Sequence, residues 1–415
     1  MANRMLFGLD IGSSKITALV GSIGDRIQVE GLSTYYYANT SKANDFLSVQ
    51  NGVICNLESV GSKVTQVLNE ARISADCSIG EVVCGISSNH LKSVYSTISR
   101  DLPNHAVTYE IMQDLISSAK NATLPNRYEA LDYEIQEYVL DNENYTLNPI
   151  NLTASTITSN INTFIATNNH IANFKKVVRY SGFNLAKLVP SGILSGMAVL
   201  NEEEKSIGCC MLDIGSGSTD IVVYENGFIR YLCSIPLGGE AITMDIANVL
   251  RISRNLAEDI KINYGGCSYS SNNHKQTEGI SVTDHRGLNT TISRKLLVDV
   301  IIGRVRDIFD VVKATLEKEG LSNIINSGMV ITGGVSLLPN MDEFARQYFD
   351  MPVRIGVPHY VGNFDDVVAN ARYATALGSL YFANAYLRDE LLLPNRRKSS
   401  ADGGVFSKLR RIFSS

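Results

Sequence analysis

Apolar and polar positions follow the same plan twice along the chain. Met5–Asp10 is an apolar, strand-like run, Ile11–Ser14 a turn, Lys15–Gly21 an alternating run, and Ile27–Leu32 another. The order returns as Cys209–Asp213, a turn at Ile214–Ser218, then Thr219–Tyr224 and Phe228–Cys233. This period predicts a β-hairpin followed by a third strand, twice. It excludes a Rossmann or Walker loop, which must open a helix and carry other glycines. Residues 296–320 alternate with helical period and predict a long amphipathic helix. The polar stretch Ser268–Arg286 predicts an exposed hairpin or loop, and "NEEEKS" (201–206) a solvated loop.

The last residues behave differently. "PNRRKSSADGG" reads as flexible linker, and "VFSKLRRIFSS" (405–415) follows it. At ~100° per residue, Val405, Phe406, Leu409, Ile412 and Phe413 share an arc of about 120°. Lys408, Arg410 and Arg411 lie outside it. A helix below the ~12–15 residues needed for stability in water requires a surface. Two surfaces remain open: the protein's own core, or an anionic membrane with the apolar face in the acyl boundary.

Length and composition narrow the class. At 415 residues the chain exceeds one core and predicts two or three domains. A charged content of 19% and apolar content of 44% are ordinary for a globular protein. The start lacks a signal pattern and no run of eighteen apolar residues occurs, so a cytoplasmic chain is expected. The seven cysteines form no CxxC pair and predict reduced, buried thiols; Cys267, His274 and His285 lack zinc spacing. Net charge is −5; Leu391 onward carries +5, from six Lys or Arg against Asp402, leaving −10 on the body. The tail would be drawn to an anionic surface that repels the rest. Nucleic acid is not expected as a partner.

The two turns contain the parts of an anion clamp. Gly12, Gly215 and Gly217 let backbone N–H groups approach a phosphate. Ser13, Ser14, Ser216, Ser218 and Thr219 add hydroxyl donors, and Lys15 adds a cation. Asp10 and Asp213 end their strands where carboxylates can hold hydrated Mg²⁺. Duplication in matching strand contexts predicts two similar lobes with a polyphosphate between them.

Those turns resemble the phosphate loops of the actin/Hsp70/sugar-kinase superfamily. "VITGGVSLLPN" (330–340) resembles its adenosine motif, giving Gly333, Gly334 and Ser336 that role. "LVPSGILSGMAVL" (188–200) and "ATALGSLYF" (374–382) resemble the two connecting helices, with Gly378 at their crossing. "LGGEAITMDIANVL", "AEDIKINYG" and "QEYVLDN…NPINL" are similar to segments of the bacterial cell-division family FtsA. The resemblance implies an α/β, actin-like two-lobe fold with duplicated RNase H-like sheets, an inserted subdomain and a C-terminal amphipathic helix. It divides the chain into subdomain 1A at 1–83 and 164–195 (completed by 381–392), inserted 1C at 84–163, 2A at 196–240 and 311–380, 2B at 241–310, linker 393–404 and membrane helix 405–415.

By the same resemblance Glu258 and Lys261 bracket adenine and ribose of ATP, with Gly265 and Gly266 at the following turn. Arg304 would meet an acidic residue in the C-terminal tail of FtsZ. Self-association into filaments, later division proteins and the cytoplasmic face of the membrane at the division site complete the implied setting. Ser216 and Ser218 depart from the glycine or threonine usual in relatives. No Gln or carboxylate accompanies Lys187-Leu188-Val189-Pro190 to orient water, predicting slow or negligible ATP hydrolysis. A sugar kinase-like enzyme, or another actin-like cytoskeletal or pilus protein, stays open as an alternative. An Hsp70-like chaperone would need a large substrate domain after the second connecting helix.

Overall fold

The computed structural model describes residues 5–22, 26–37, 48–122, 124–268, 279–283 and 289–392. In the first lobe the chain forms β1 (Met5–Ile11), β2 (Lys15–Ser22) and β3 (Gln28–Tyr36). The small pair β4 (Val49–Gln50) and β5 (Val53–Ile54), α1 (Leu57–Ser74) and β6 (Glu81–Ile86) follow. Asn56 caps α1 by accepting the Ser59 N–H, and Arg72 occupies its last turn, both favourable to a helix there. An inserted unit then runs β7 (Lys92–Asp101), α2 (Tyr109–Ala122), β8 (Tyr128–Leu140), β9 (Asn144–Thr146) and β10 (Thr156–Thr167). α3 (Asn168–Tyr180) and β11 (Asn184–Pro190) return to the first lobe, and α4 (Ser191–Val199) crosses to the second.

The second lobe repeats the first. After α5 (Glu202–Ile207) come β12 (Cys209–Ile214), β13 (Thr219–Glu225) and β14 (Phe228–Ile235), then α6 (Gly239–Leu250) and α7 (Arg254–Tyr264). β15 (Gly279–Thr283) pairs with β16 (Asn289–Ser293) and leads into a long helix, Arg294–Lys318. β17 (Met329–Thr332), a helix at Met341–Phe349, β18 (Val353–Ile355) and the helix Ala374–Leu392 end the described chain. The first sheet has the order β11-β6-β1-β2-β3 and the second contains β18-β17-β12-β13-β14. In each, the first strand pairs antiparallel with its hairpin partner and parallel with the strand on its other side. The hairpin-plus-strand reading is therefore borne out in both copies.

Each lobe has its own core. Leu6, Leu9, Ile16, Leu19 and Leu68 are fully buried in the first, and Leu212, Ile221, Ile301, Phe309 and Val312 in the second. Burial at ~1.5–3 kcal/mol per large side chain makes these clusters the main source of stability. The inserted unit keeps a third core around Leu115, Tyr138, Ile157 and Ile161. Its sheet continues that of the second lobe through one backbone pairing, Cys233 with Lys92. Side chains strengthen the joint: Glu134 accepts the Ile229 N–H at 2.7 Å, while Asn162 and Gln136 donate to the Ile229 carbonyl at 2.7 and 3.0 Å. The same unit reaches the first lobe through Lys187 and Asp132, 3.1 Å apart.

Several expectations meet the structure directly. The long amphipathic helix is present with its apolar stripe inward. All seven cysteines are free, but only Cys84, Cys209, Cys210 and Cys267 are buried; Cys77 and Cys233 are partly covered and Cys55 is exposed. "NEEEKS" is not a loop but the helix α5. Asn201 accepts the Glu204 N–H and Glu204 reaches back to the Asn201 N–H, a capping box that nucleates the turn. Among the described residues no helix is long and apolar enough to cross a membrane. The linker and the residues Val405, Phe406, Lys408, Leu409, Arg410, Arg411, Ile412 and Phe413 lie outside the described residues.

Candidate functional site

The two turns are built alike. Gly12 N–H donates to the Lys15 carbonyl at 2.9 Å, and Gly215 N–H to the Ser218 carbonyl at 2.9 Å. Each is a tight bend closing an antiparallel hairpin, and the Ser13 hydroxyl accepts the Gly52 N–H at 3.3 Å. α6 anchors the second bend, its Gly239 and Glu240 N–H groups donating to the Gly215 and Ser216 carbonyls at 2.9 and 2.7 Å.

The bends meet across a cleft of about 310 Å³. A Cβ on Gly217 would collide with the Ser13 hydroxyl and stand 2.8 Å from the Asn51 nitrogen, so only glycine permits this approach. Asp10, Gly12, Ser13, Ser14 and Lys15 line the cleft from one lobe; Asp213, Gly215, Ser216, Gly217 and Ser218 line it from the other. Glu258, Lys261, Gly333 and Gly334 form its far end. Gly333 has φ +85°, where a side chain would strain the turn and overlap Asp213.

Charge is concentrated here. Lys15 Nζ lies 3.5 Å from Asp10, donates to Thr17 at 2.9 Å and sits 4.7 Å above the Tyr373 ring. Lys261 is fully engaged, donating to Glu258, Thr243 and the Gly239 carbonyl at 2.7, 2.7 and 3.1 Å. It therefore braces α7 against α6 and presents Glu258 to the cleft. Arg254 forks onto Glu240 at 2.5–2.6 Å at the rim.

Asp213 and Asp220 stand directly opposite in the β12–β13 pairing. Like charges facing across a strand pair repel. Burial lifts the Asp213 carboxyl to about 6, with Asp10 adding repulsion. Burial and the neighbouring Asp213 lift Asp220 to about 7. Burial also raises Asp10, against the pull of Lys15. Three mutually repelling carboxylates beside the bends suit a hard divalent cation. Among the described residues no group of three His, Cys, Asp or Glu side chains could hold a metal ion by itself, so a cation here would need water or ligand oxygens as well.

Some expected residues take supporting places. Thr219 is buried and donates to the Leu237 carbonyl at 2.8 Å, tying β13 to the loop before α6. Ser336 donates to the Gly333 carbonyl at 2.7 Å and fixes that turn from behind. Gly265 ends α7, its N–H donating to the Lys261 carbonyl at 3.1 Å. None of the three lines the cleft. Arg304 also lies off it, its fork held by Asp245 at 2.6 and 3.1 Å and by Asp307 at 3.1 Å.

Sequence reasoning missed Asp220 and Ser87. Ser87, just after β6, donates to Asp220 at 2.8 Å and lies 3.1 Å from Ser218, bridging the lobes beside the bends. The premise that no carboxylate stands near the start of α4 fails in space. A Cβ on Gly192 would lie 3.0 Å from that of Asp220, because β13 brings the acid to the helix that follows Pro190. Its spacing was readable: Asp220 ends the same "DIGSGSTD" that begins with Asp213.

Two duplicated lobes, two connecting helices and paired glycine-hydroxyl bends define an actin-like protein. Solved structures agree on the fold. A chain of the PilM-PilN type IV pilus biogenesis complex superposes with TM-score 0.61 at 15% identity, covering 91% of this chain and 97% of that one. MreB 5 of Spiroplasma citri bound to AMPPNP gives 0.58 at 15%, covering 94% and 99%. Sequence narrows the class. The family model "Cell division protein FtsA" matches residues 210–378, and "SHS2 domain inserted in FTSA" matches 88–164. The cell division protein FtsA of Neisseria meningitidis serogroup B is 32% identical over 98% of this chain and 97% of its own length. The chain belongs to the FtsA family of actin-like cell-division proteins.

Proposed function

We propose that this chain is a nucleotide-dependent membrane tether of the division machinery. ATP with Mg²⁺ occupies the cleft, its phosphates gripped by the two bends and its nucleoside lying between Glu258 and the Gly333–Gly334 turn. Magnesium would neutralise the charge shared by the phosphates, Asp10 and Asp213. The tail Val405–Phe413 inserts into the cytoplasmic face of the anionic membrane, and the folded body takes hold of the FtsZ C-terminal tail around Arg304. Because Arg304 already pairs with Asp245, an acidic peptide binds there by exchanging one carboxylate for another. Self-association multiplies weak single tails into firm attachment and offers a platform to later division proteins. The subdomain division given above belongs to the same reading. Asp220 takes the role of orienting and deprotonating water, which a group titrating near neutrality suits.

The observation that carries this is the convergence of two bends, each closed by a 2.9 Å hydrogen bond, on one cleft. Binding of AMPPNP by the MreB 5 neighbour supports a nucleotide there. The test mixes the full chain, or a chain ending at Pro394, with anionic liposomes, FtsZ and ATP. FtsZ should sediment with liposomes only when tail and ATP are both present. Recruitment by the shortened chain would remove the tether, and recruitment indifferent to ATP would remove the switch.

A further inference from the structure

Asp213 does more than face the cleft. Its Oδ2 accepts the Ser195 hydroxyl at 2.5 Å and the Thr375 hydroxyl at 3.2 Å. The two hydroxyls are 2.9 Å apart, completing a triangle. Ser195 is wholly buried in α4; Thr375 is nearly so, in the first turn of the helix Ala374–Leu392. These are the two connecting helices, and they touch backbone to backbone where Gly378 rests on Leu194. Each link between the lobes thus lends a hydroxyl to a single oxygen of a single carboxylate. That carboxylate ends the strand carrying the second bend, and its other oxygen lies against the Gly333 turn.

We propose that Ser195 and Thr375 are positioning residues that transmit the occupancy of the cleft to the angle between the lobes. The inference rests on the reading of the cleft as a Mg²⁺-nucleotide site. A hydroxyl donating to a free carboxylate makes a charge-assisted bond, roughly twice as strong as a neutral one. When hydrated magnesium shares the charge of Asp213, both bonds weaken together and both connecting helices are released from the same anchor. A ligand moves an equilibrium only through an interaction that differs between the two states. The triangle supplies one, placed on the hinge itself. A buried hydroxyl pair serving packing alone would have no reason to come from both crossing helices to one oxygen of the cleft.

The test uses the full chain with Ser195→Ala, Thr375→Val, both together, and Thr375→Ser, which keeps the hydroxyl. ATP affinity is measured with Mg²⁺ and with EDTA, and amide hydrogen exchange is followed in Ser191–Val199 and Ala374–Leu392. The double variant should bind ATP in EDTA as the wild type does. Its magnesium-dependent gain should rise by about five- to 150-fold, the usual span of allosteric coupling, because no hydroxyl bond is left for the metal to weaken. The change in exchange that Mg²⁺-ATP causes in the two helices should vanish. Each single variant should show part of the rise, and Thr375→Ser should behave as wild type. An unaltered magnesium gain and exchange response in the double variant would overturn the inference. So would equal weakening with and without magnesium, with Thr375→Ser no better than Thr375→Val, since that is the signature of packing. Failure of the wild type to bind ATP would instead remove the reading of the cleft.

Discussion

Gly378→Ala is the most direct perturbation of the hinge. A Cβ at this position would overlap the Leu194 carbonyl and stand 3.0 Å from the Leu194 Cα. All three nearest atoms are backbone, so no rotamer can relieve the collision. The two connecting helices must separate by roughly an ångström or more, against an interaxial distance of about 8–10 Å for packed helices. Overpacking of this kind costs ~1–3 kcal/mol, and the upper end applies where neither side can rotate away. At about 2–4 °C per kcal/mol for domains of this size, the melting temperature should fall by ~6–12 °C. Gly303→Ala is the control. It lies inside the helix Arg294–Lys318 and its Cβ meets nothing within 4 Å. There alanine should stabilise by ~0.5–1 kcal/mol, because glycine forfeits more freedom on folding. Scanning calorimetry without nucleotide reads both. ATP affinity of Gly378→Ala should drop as well, since spreading the helices spreads the bends. A melting temperature within about 1 °C of wild type for Gly378→Ala would refute the account of the crossing.

Two further outcomes follow from charged groups. Asp220→Asn should slow phosphate release from ATP by ~10²-fold or more while leaving ATP affinity near wild type, because a general base acts on the chemical step; equal release rates would remove Asp220 from that role. Burial pushes the Glu204 carboxyl up, but the Arg354 fork at 2.6–2.7 Å and the Asn201 N–H outweigh it, leaving its pKa below the ordinary glutamate value. A depressed folded pKa stabilises above the unfolded value of about 4.3 and loses that contribution as pH falls through the folded one. The melting difference between wild type and Glu204→Gln should therefore be constant above about pH 5.5 and shrink on acidification; a difference that persists unchanged down to about pH 3 would contradict this.

What could be read in advance was what the chain writes locally. The hairpins, the bends and the amphipathic helix each depend on residues a few positions apart, where period and glycine placement speak directly. "NEEEKS" is equally local: its helix start is written in Asn201 and Glu204, three apart, within a charged run that by composition alone suits a solvated loop. Other features join distant segments. Ser195 and Thr375 are separated by 180 positions, Ser87 and Asp220 by 133, and Arg304 finds Asp245 across 59. No local period announces such meetings. Asp220 lay between, since its place in the motif was visible, while its approach to Gly192 depends on how β13 passes beneath α4.

One short stretch of the inserted unit, residues 132–136 of β8, holds both lobes. Its grip on the Ile229 peptide ties it to one leaf of the molecule, and the Lys187–Asp132 pair ties it to the other. A brace held this way cannot follow one leaf without straining its hold on the far side. Relative movement of the leaves would therefore load those few residues of β8, the strand that pairs with the outer edge where Tyr145 and Leu147 stand 68% and 57% exposed.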